Sequence, residues 1–202
     1  MKIVFDLDGT LLPESILVWK ESYEILQKSL RKRLAKPEDV IEKYYRKTEW
    51  SALNYVETYL REDLERIWYN HFLILLKERF QENPRALEYI QRLKFFLRRL
   101  KNSHQLYIVS SNKKAEEVVG RLGLREFFDG VYSTKEKSEM LRKIGADVYV
   151  GDSKDDYRCS KDVKVPFLLL LNSHNRNVYE KWKGVKKIES VFELEDFIKK
   201  SN

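Results

Sequence analysis

The apolar positions of this chain change their period partway along it. A short apolar run, Ile3-Val4-Phe5, opens a strand expected over residues 2–7, because β-branched residues suit a pleated, buried surface. Pro13-Glu14-Ser15 then suits a helix start. From there to residue 34 apolar side chains recur at helical spacing, through Ile16, Trp19, Tyr23, Leu26, Leu30 and Leu34. A break at Lys36-Pro37 opens a second helix, and Ser51 is placed to cap a third. A fourth is expected from Asp63 to Phe80, with Leu64, Ile67, His71, Leu75 and Phe80 on one face. Asn83-Pro84 starts another, which ends near Lys101-Asn102. No repeat links these helices.

After residue 105 strands and helices alternate. Leu106-Tyr107-Ile108-Val109 is a short apolar strand that ends in Ser110-Ser111-Asn112, and a helix follows as far as Leu122-Gly123-Leu124. Gly130-Val131-Tyr132 reads as a strand, residues 136–144 as a helix, and Asp147-Val148-Tyr149-Val150 as a strand running into Gly151-Asp152. Val165 to Leu171 is the longest apolar run, as expected of a strand covered on both faces. Ser190-Val191-Phe192-Glu193 matches a capping box for a final helix. Alternation of this kind builds βαβ units and a parallel sheet. The expected architecture is an α/β core of residues 1–13 and 83–202, with an all-α cap of residues 14–82 inserted after the first strand.

Composition changes this picture little. At 202 residues the chain suits one sizeable domain, or one domain with an insert. Lys and Arg outnumber Asp and Glu by 39 to 32, for a net charge of +7. That balance suits an anionic partner, and equally a charged surface selected for heat tolerance. Cys159 is the single cysteine, so no disulfide framework or thiolate metal site exists and a reducing, cytoplasmic setting is expected. Asp6 and Asp8 interrupt the first apolar residues, and no apolar run is long enough to span a bilayer.

The chemistry begins at Asp6-Leu7-Asp8-Gly9-Thr10. Two carboxylates at the end of a strand repel unless a cation lies between them, and Mg²⁺, a hard ion that takes oxygen ligands, is the expected one. One carboxylate is then available as nucleophile and the other as acid/base. Ligands of parallel α/β sheets bind beyond the carboxyl ends of the strands. Four polar clusters fall there: Asp6/Asp8, Ser110/Ser111, the segment with Lys135 and Lys137, and Asp152 to Asp156. Each has a plain alternative, as a solvated turn, a helix cap or an exposed lysine. Four such coincidences in this order are harder to accept than one site.

The order Asp-x-Asp-Gly-Thr, strand-Ser, Lys, Gly-Asp-Ser-x-x-Asp resembles the haloacid dehalogenase superfamily of phosphohydrolases, over nearly the whole chain. Leu122-Gly123-Leu124-x-x-Phe127-Phe128-Asp129 and Val165-Pro166-Phe167 resemble its connecting segments, and the helical insert resembles its α-helical cap. The resemblance implies a Rossmann-like sheet and a Mg²⁺-dependent phosphatase acting on a small phosphorylated metabolite. Asp6 would attack phosphorus to form an aspartyl-phosphate, and Asp8 would serve as general acid, then base. Ser110 would bind a phosphoryl oxygen, with the backbone N–H groups of Ser111 and Asn112 nearby. Lys137, with Lys135 as the alternative, would neutralise equatorial charge. Asp152 would bind Mg²⁺ together with the Asp6 carboxylate and the Asp8 carbonyl. Asp156 would orient that shell, with Asp155 as the alternative.

The same resemblance implies that halide-displacing members lack a second acid where this chain has Asp8, and that ion-pumping members carry Thr there. Phosphatase therefore leads, with phosphomutase as the alternative. A nucleic-acid-binding or end-processing protein is suggested by the charge and by Arg31-Lys32-Arg33 and Arg98-Arg99. No nucleic-acid fold motif accompanies those residues, and interleaved Glu dilutes the basic stretches. His71, His104 and His174 show no ligand spacing, and Cys159 is expected to pack.

Overall fold

The structure is a computed structural model, and it describes residues 1–30, 36–46 and 62–201. Among the described residues, six strands form one parallel sheet in the order β3-β2-β1-β4-β5-β6. They are β1 (Lys2–Phe5), β2 (Gln105–Ser110), β3 (Gly130–Ser133), β4 (Val148–Gly151), β5 (Phe167–Leu170) and β6 (Lys186–Ile188). β1 is central. Its Phe5 pairs with Ile108 of β2 on one side and Val150 of β4 on the other, and the Asp6 N–H donates to the Val150 carbonyl at 2.8 Å. The site-bearing strand ends are thereby brought side by side.

Ile3, Val4 and Phe5 are all fully buried, as a central parallel strand requires. Alternation splits them between two faces. Ile3 and Phe5 pack with Leu106, Ile108, Val148 and Val150, under helices α4 (Pro84–Lys101), α5 (Ala115–Arg121) and α9 (Leu194–Ser201). Val4 packs with Val109, Tyr149, Leu141, Ile144 and Cys159, under α6 (Lys137–Ile144) and α7 (Lys154–Asp162). A short helix, α8 (Arg176–Tyr179), follows β5.

Between β1 and β2 the described elements are helical: α1 (Ser15–Leu30), α2 (Pro37–Arg46), α3 (Glu62–Lys77) and a π-helical turn, Glu78–Glu82. Trp19 and Tyr23 stack at 5.1 Å on α1, and both are buried with Leu26, Phe72, Leu76 and Phe80. The α4 start follows expectation: Asn83 Oδ1 accepts from the Arg85 and Ala86 N–H groups, with Pro84 at the first helical position.

Several expectations are corrected. β1 ends at Phe5 instead of residue 7, because the chain turns at Gly9, whose φ is +77°. The buried stripe of α3 is Phe72, Leu73 and Leu76, continued by Phe80 in the π turn, whereas His71 and Leu75 are only half-buried. The expected stripe reached Phe80 by a five-residue step from Leu75, whereas the buried residues Leu73, Leu76 and Phe80 keep steps of three and four into the π turn. β5 covers Phe167–Leu170 only. Ser190 caps a 3₁₀ turn, Val191–Glu193, ahead of α9, and the Glu193 carboxylate accepts from the Glu189 N–H. The segment 31–35, the Ser51 cap and the side chains of Leu30, Leu64 and Ile67 lie outside the described residues.

Candidate active site

Asp6, the first residue beyond β1, is 3% exposed, and Asp152, the first beyond β4, is fully buried. Asp156 lies on the first turn of α7 and is also fully buried. One carboxylate oxygen from each of these three residues lies within 4.8 Å of the others. Lys137, at the start of α6, reaches into the cluster: its Nζ is 2.9 Å from Asp6 Oδ1 and 2.7 Å from Asp156 Oδ1. Lys135 is exposed, and Asp155 is half-buried beside Arg158.

Asp156 is fully engaged. Its Oδ1 also accepts from Tyr149 Oη at 2.6 Å, and its Oδ2 accepts from the Ser153 N–H and hydroxyl. Ser153 in turn accepts from the Asp156 N–H, so one reciprocal capping box both starts α7 and fixes this carboxylate. Asp152 is divided instead. Its Oδ2 accepts from Tyr45 and Asn172, while its Oδ1 is buried and has no hydrogen-bond partner.

Asp8 points elsewhere. Its Oδ2 accepts from Asn112 Nδ2 at 2.8 Å, and its Oδ1 is buried without a partner. The Asn112 N–H, expected to serve phosphate, donates to Ser110 Oγ at 3.2 Å, so Asn112 ties Asp8 to the end of β2. Ser110 is 2% exposed and Ser111 half-buried.

Burial pushes Asp6 up to about 7 against the pull of Lys137. Burial, joined by the charges of Asp6 and Asp156, raises Asp152 well above the carboxylate range, and burial raises Asp8 too. Burial would raise Asp156 as well, but Lys137, Ser153 and Tyr149 outweigh it and hold that group low. Three buried acids thus cluster around one ammonium, which pairs with two of them, Asp6 and Asp156. The bare Asp152 Oδ1 and this excess of negative charge fit a hard divalent cation held by oxygen ligands.

Gly9 is required here on two counts. Its φ is +77°, and a Cβ would fall 2.0 Å from Asp152 Oδ2. Tyr45, Tyr149 and Asn172 were not found from the sequence. Asn172 follows an apolar strand at its carboxyl end, the same signal that marked the other clusters. Nothing local distinguishes the two tyrosines.

Among curated proteins no sequence matches the chain. Solved structures of the same fold include a haloacid dehalogenase-like hydrolase from Streptococcus pneumoniae, at 18% identity and TM-score 0.64, covering 98% of this chain and 97% of that one. A β-phosphoglucomutase from Clostridium difficile superposes at TM-score 0.68 with 17% identity, covering 98% and 95%. A predicted phosphoglycolate phosphatase from Haemophilus somnus gives TM-score 0.57 with 16% identity, covering 97% and 96%. At these identities the likeness is one of fold. The sequence itself matches the haloacid dehalogenase-like hydrolases from residue 3 to residue 170. This chain is therefore an enzyme that belongs to the haloacid dehalogenase-like hydrolase family.

Proposed function

We propose that the chain is a Mg²⁺-dependent phosphatase that hydrolyses a small phosphate monoester through an aspartyl-phosphate on Asp6. The observation that carries this reading is the contrast between two carboxylates two residues apart. Asp6 is paired with the buried ammonium of Lys137, whereas Asp8 is held apart by Asn112. Paired acids in different environments are how one site supplies a nucleophile and a proton donor together.

In the first step an Asp6 carboxylate oxygen attacks phosphorus as the ester P–O bond breaks, and Asp8 gives its proton to the departing oxygen. Burial raises Asp8, so it keeps that proton to higher pH than an exposed carboxylate does. In the second step the Asp8 carboxylate takes a proton from water as that water attacks phosphorus, and the bond to Asp6 breaks to release inorganic phosphate. Ser110 and Lys137 would hold the phosphoryl oxygens and offset their charge. Asp6, Asp152 and the Asp8 carbonyl would hold the cation, with Asp156 orienting them, and its charge would keep Asp6 ionised. Residues 14–82 would form the cap over this site, on a core of residues 1–13 and 83–202, and supply substrate selectivity.

The test is phosphate release from a panel of small phosphate esters, with Mg²⁺ or with EDTA, beside Asp6→Asn. Mg²⁺-dependent turnover that vanishes in the variant supports the reading. Turnover that survives Asp6→Asn overturns it. A phosphorylated isomer in place of free phosphate would assign a phosphomutase, in which the phosphoryl group returns to substrate.

A further inference from the structure

Tyr45 enters the acidic cluster from α2, 107 residues before Asp152 in the chain. Its phenol donates to Asp152 Oδ2 at 2.8 Å, and Asn172 Nδ2 donates to the same oxygen at 2.9 Å. Two donors therefore occupy one oxygen of Asp152, and the other, Oδ1, is left buried and bare. Neither donor is free to wander. Asn172 Oδ1 accepts from the His174 and Asn175 N–H groups, which fixes its amide with Nδ2 toward Asp152 and the Gly9 carbonyl. Tyr45 is fully buried and meets the Tyr179 ring edge-on at 6.2 Å. The Tyr179 hydroxyl donates to the Tyr45 carbonyl and accepts from the Lys154 N–H.

We infer that Tyr45 and Asn172 are positioning residues for Asp152, which select Oδ1 as the oxygen offered to a cation, and that Tyr45 makes this selection depend on the docking of α2. The inference rests on the proposed cation site at Asp6 and Asp152. Partners of metal ligands commonly set affinity by fixing the orientation of the ligating group. Here one partner comes from the helical segment between β1 and β2, and the other from the loop after β5. Coupling of this kind is reciprocal. A docked α2 strengthens cation binding, and a bound cation holds α2 docked.

Tyr45→Phe keeps the ring and removes one hydroxyl. Mg²⁺ affinity would be measured by calorimetry without substrate, with the melting temperature in EDTA as the control for folding. Hydrogen exchange over residues 37–46 would be followed in the unaltered protein with and without Mg²⁺. The expected results are a Kd about tenfold or more weaker in Tyr45→Phe, with melting in EDTA nearly unchanged, and slower exchange in α2 when Mg²⁺ is bound. An unchanged Kd in Tyr45→Phe, or α2 exchange indifferent to Mg²⁺ in a protein that binds it, would overturn the inference alone. Failure of the unaltered protein to bind Mg²⁺ would overturn the cation site and the inference with it.

Discussion

Lys137 and Asp6, 131 residues apart in sequence, meet as a buried ion pair at 2.9 Å. The same ammonium is 2.7 Å from Asp156, so one cation is shared by two carboxylates that have almost no access to water. Removing one partner of such a group leaves charge stranded in a poorly polarisable interior.

Lys137→Met should therefore cost stability as well as activity. The expected loss is about 3–5 kcal/mol, read from denaturant unfolding in EDTA. A loss below about 1 kcal/mol would show that the carboxylates relax by taking up protons or water.

Asp8→Asn should leave the fold intact and lower turnover by roughly 10²–10⁴-fold, the usual scale for losing a general acid/base. The loss should be smallest for esters with acidic leaving groups such as aryl phosphates, because these need least help from a proton. Equal losses across leaving groups would argue against Asp8 as the acid.

Mg²⁺ should raise the melting temperature without substrate. At a hundred times its Kd the stabilisation should be about 2.7 kcal/mol. Asp152→Asn should abolish most of this shift, because Asp152 Oδ1 is a buried oxygen without a hydrogen-bond partner inside the three-carboxylate cluster.

Gly9→Ala should damage the same site from the backbone side. The left-handed conformation alone costs a non-glycine residue roughly 1–3 kcal/mol, and the new methyl collides with Asp152 Oδ2. Loss of the Mg²⁺-induced shift, together with reduced stability, is the expected outcome in thermal melts.

Cys159 should be inert in the folded protein. Burial pushes its thiol up to about 11, so its neutral form dominates at working pH. At pH 8 roughly one molecule in a thousand carries the reactive thiolate, against about a quarter for an unperturbed thiol. Labelling by a disulfide reagent at pH 8 should be slow until denaturant is added, then rapid.

The parts of the site that were legible in the sequence are those adjacent to a strand end. Asp6, Ser110 and Asp152 each close an apolar run, and a parallel sheet places such residues together whatever the helices do. Lys137 and Asp156 follow by their spacing into the next helices. Tyr45 and Tyr149 were not legible, because a tyrosine on an apolar face looks the same whether or not its hydroxyl meets a carboxylate. β6 passed unnoticed for another reason: Lys186-Lys187-Ile188 is three residues long at the sheet edge and carries little apolar signal.

The central position of β1 carries a consequence for biosynthesis. Asp6 lies 131 residues before Lys137 in the chain, yet its backbone is anchored by Val150, its carboxylate pairs with Lys137, and the carboxylates of Asp152 and Asp156 lie beside it. A nascent chain interrupted anywhere before β4 holds Asp6 without the Val150 anchor and without Asp152 or Asp156. The acidic cluster is therefore complete only once the chain extends past Asp156.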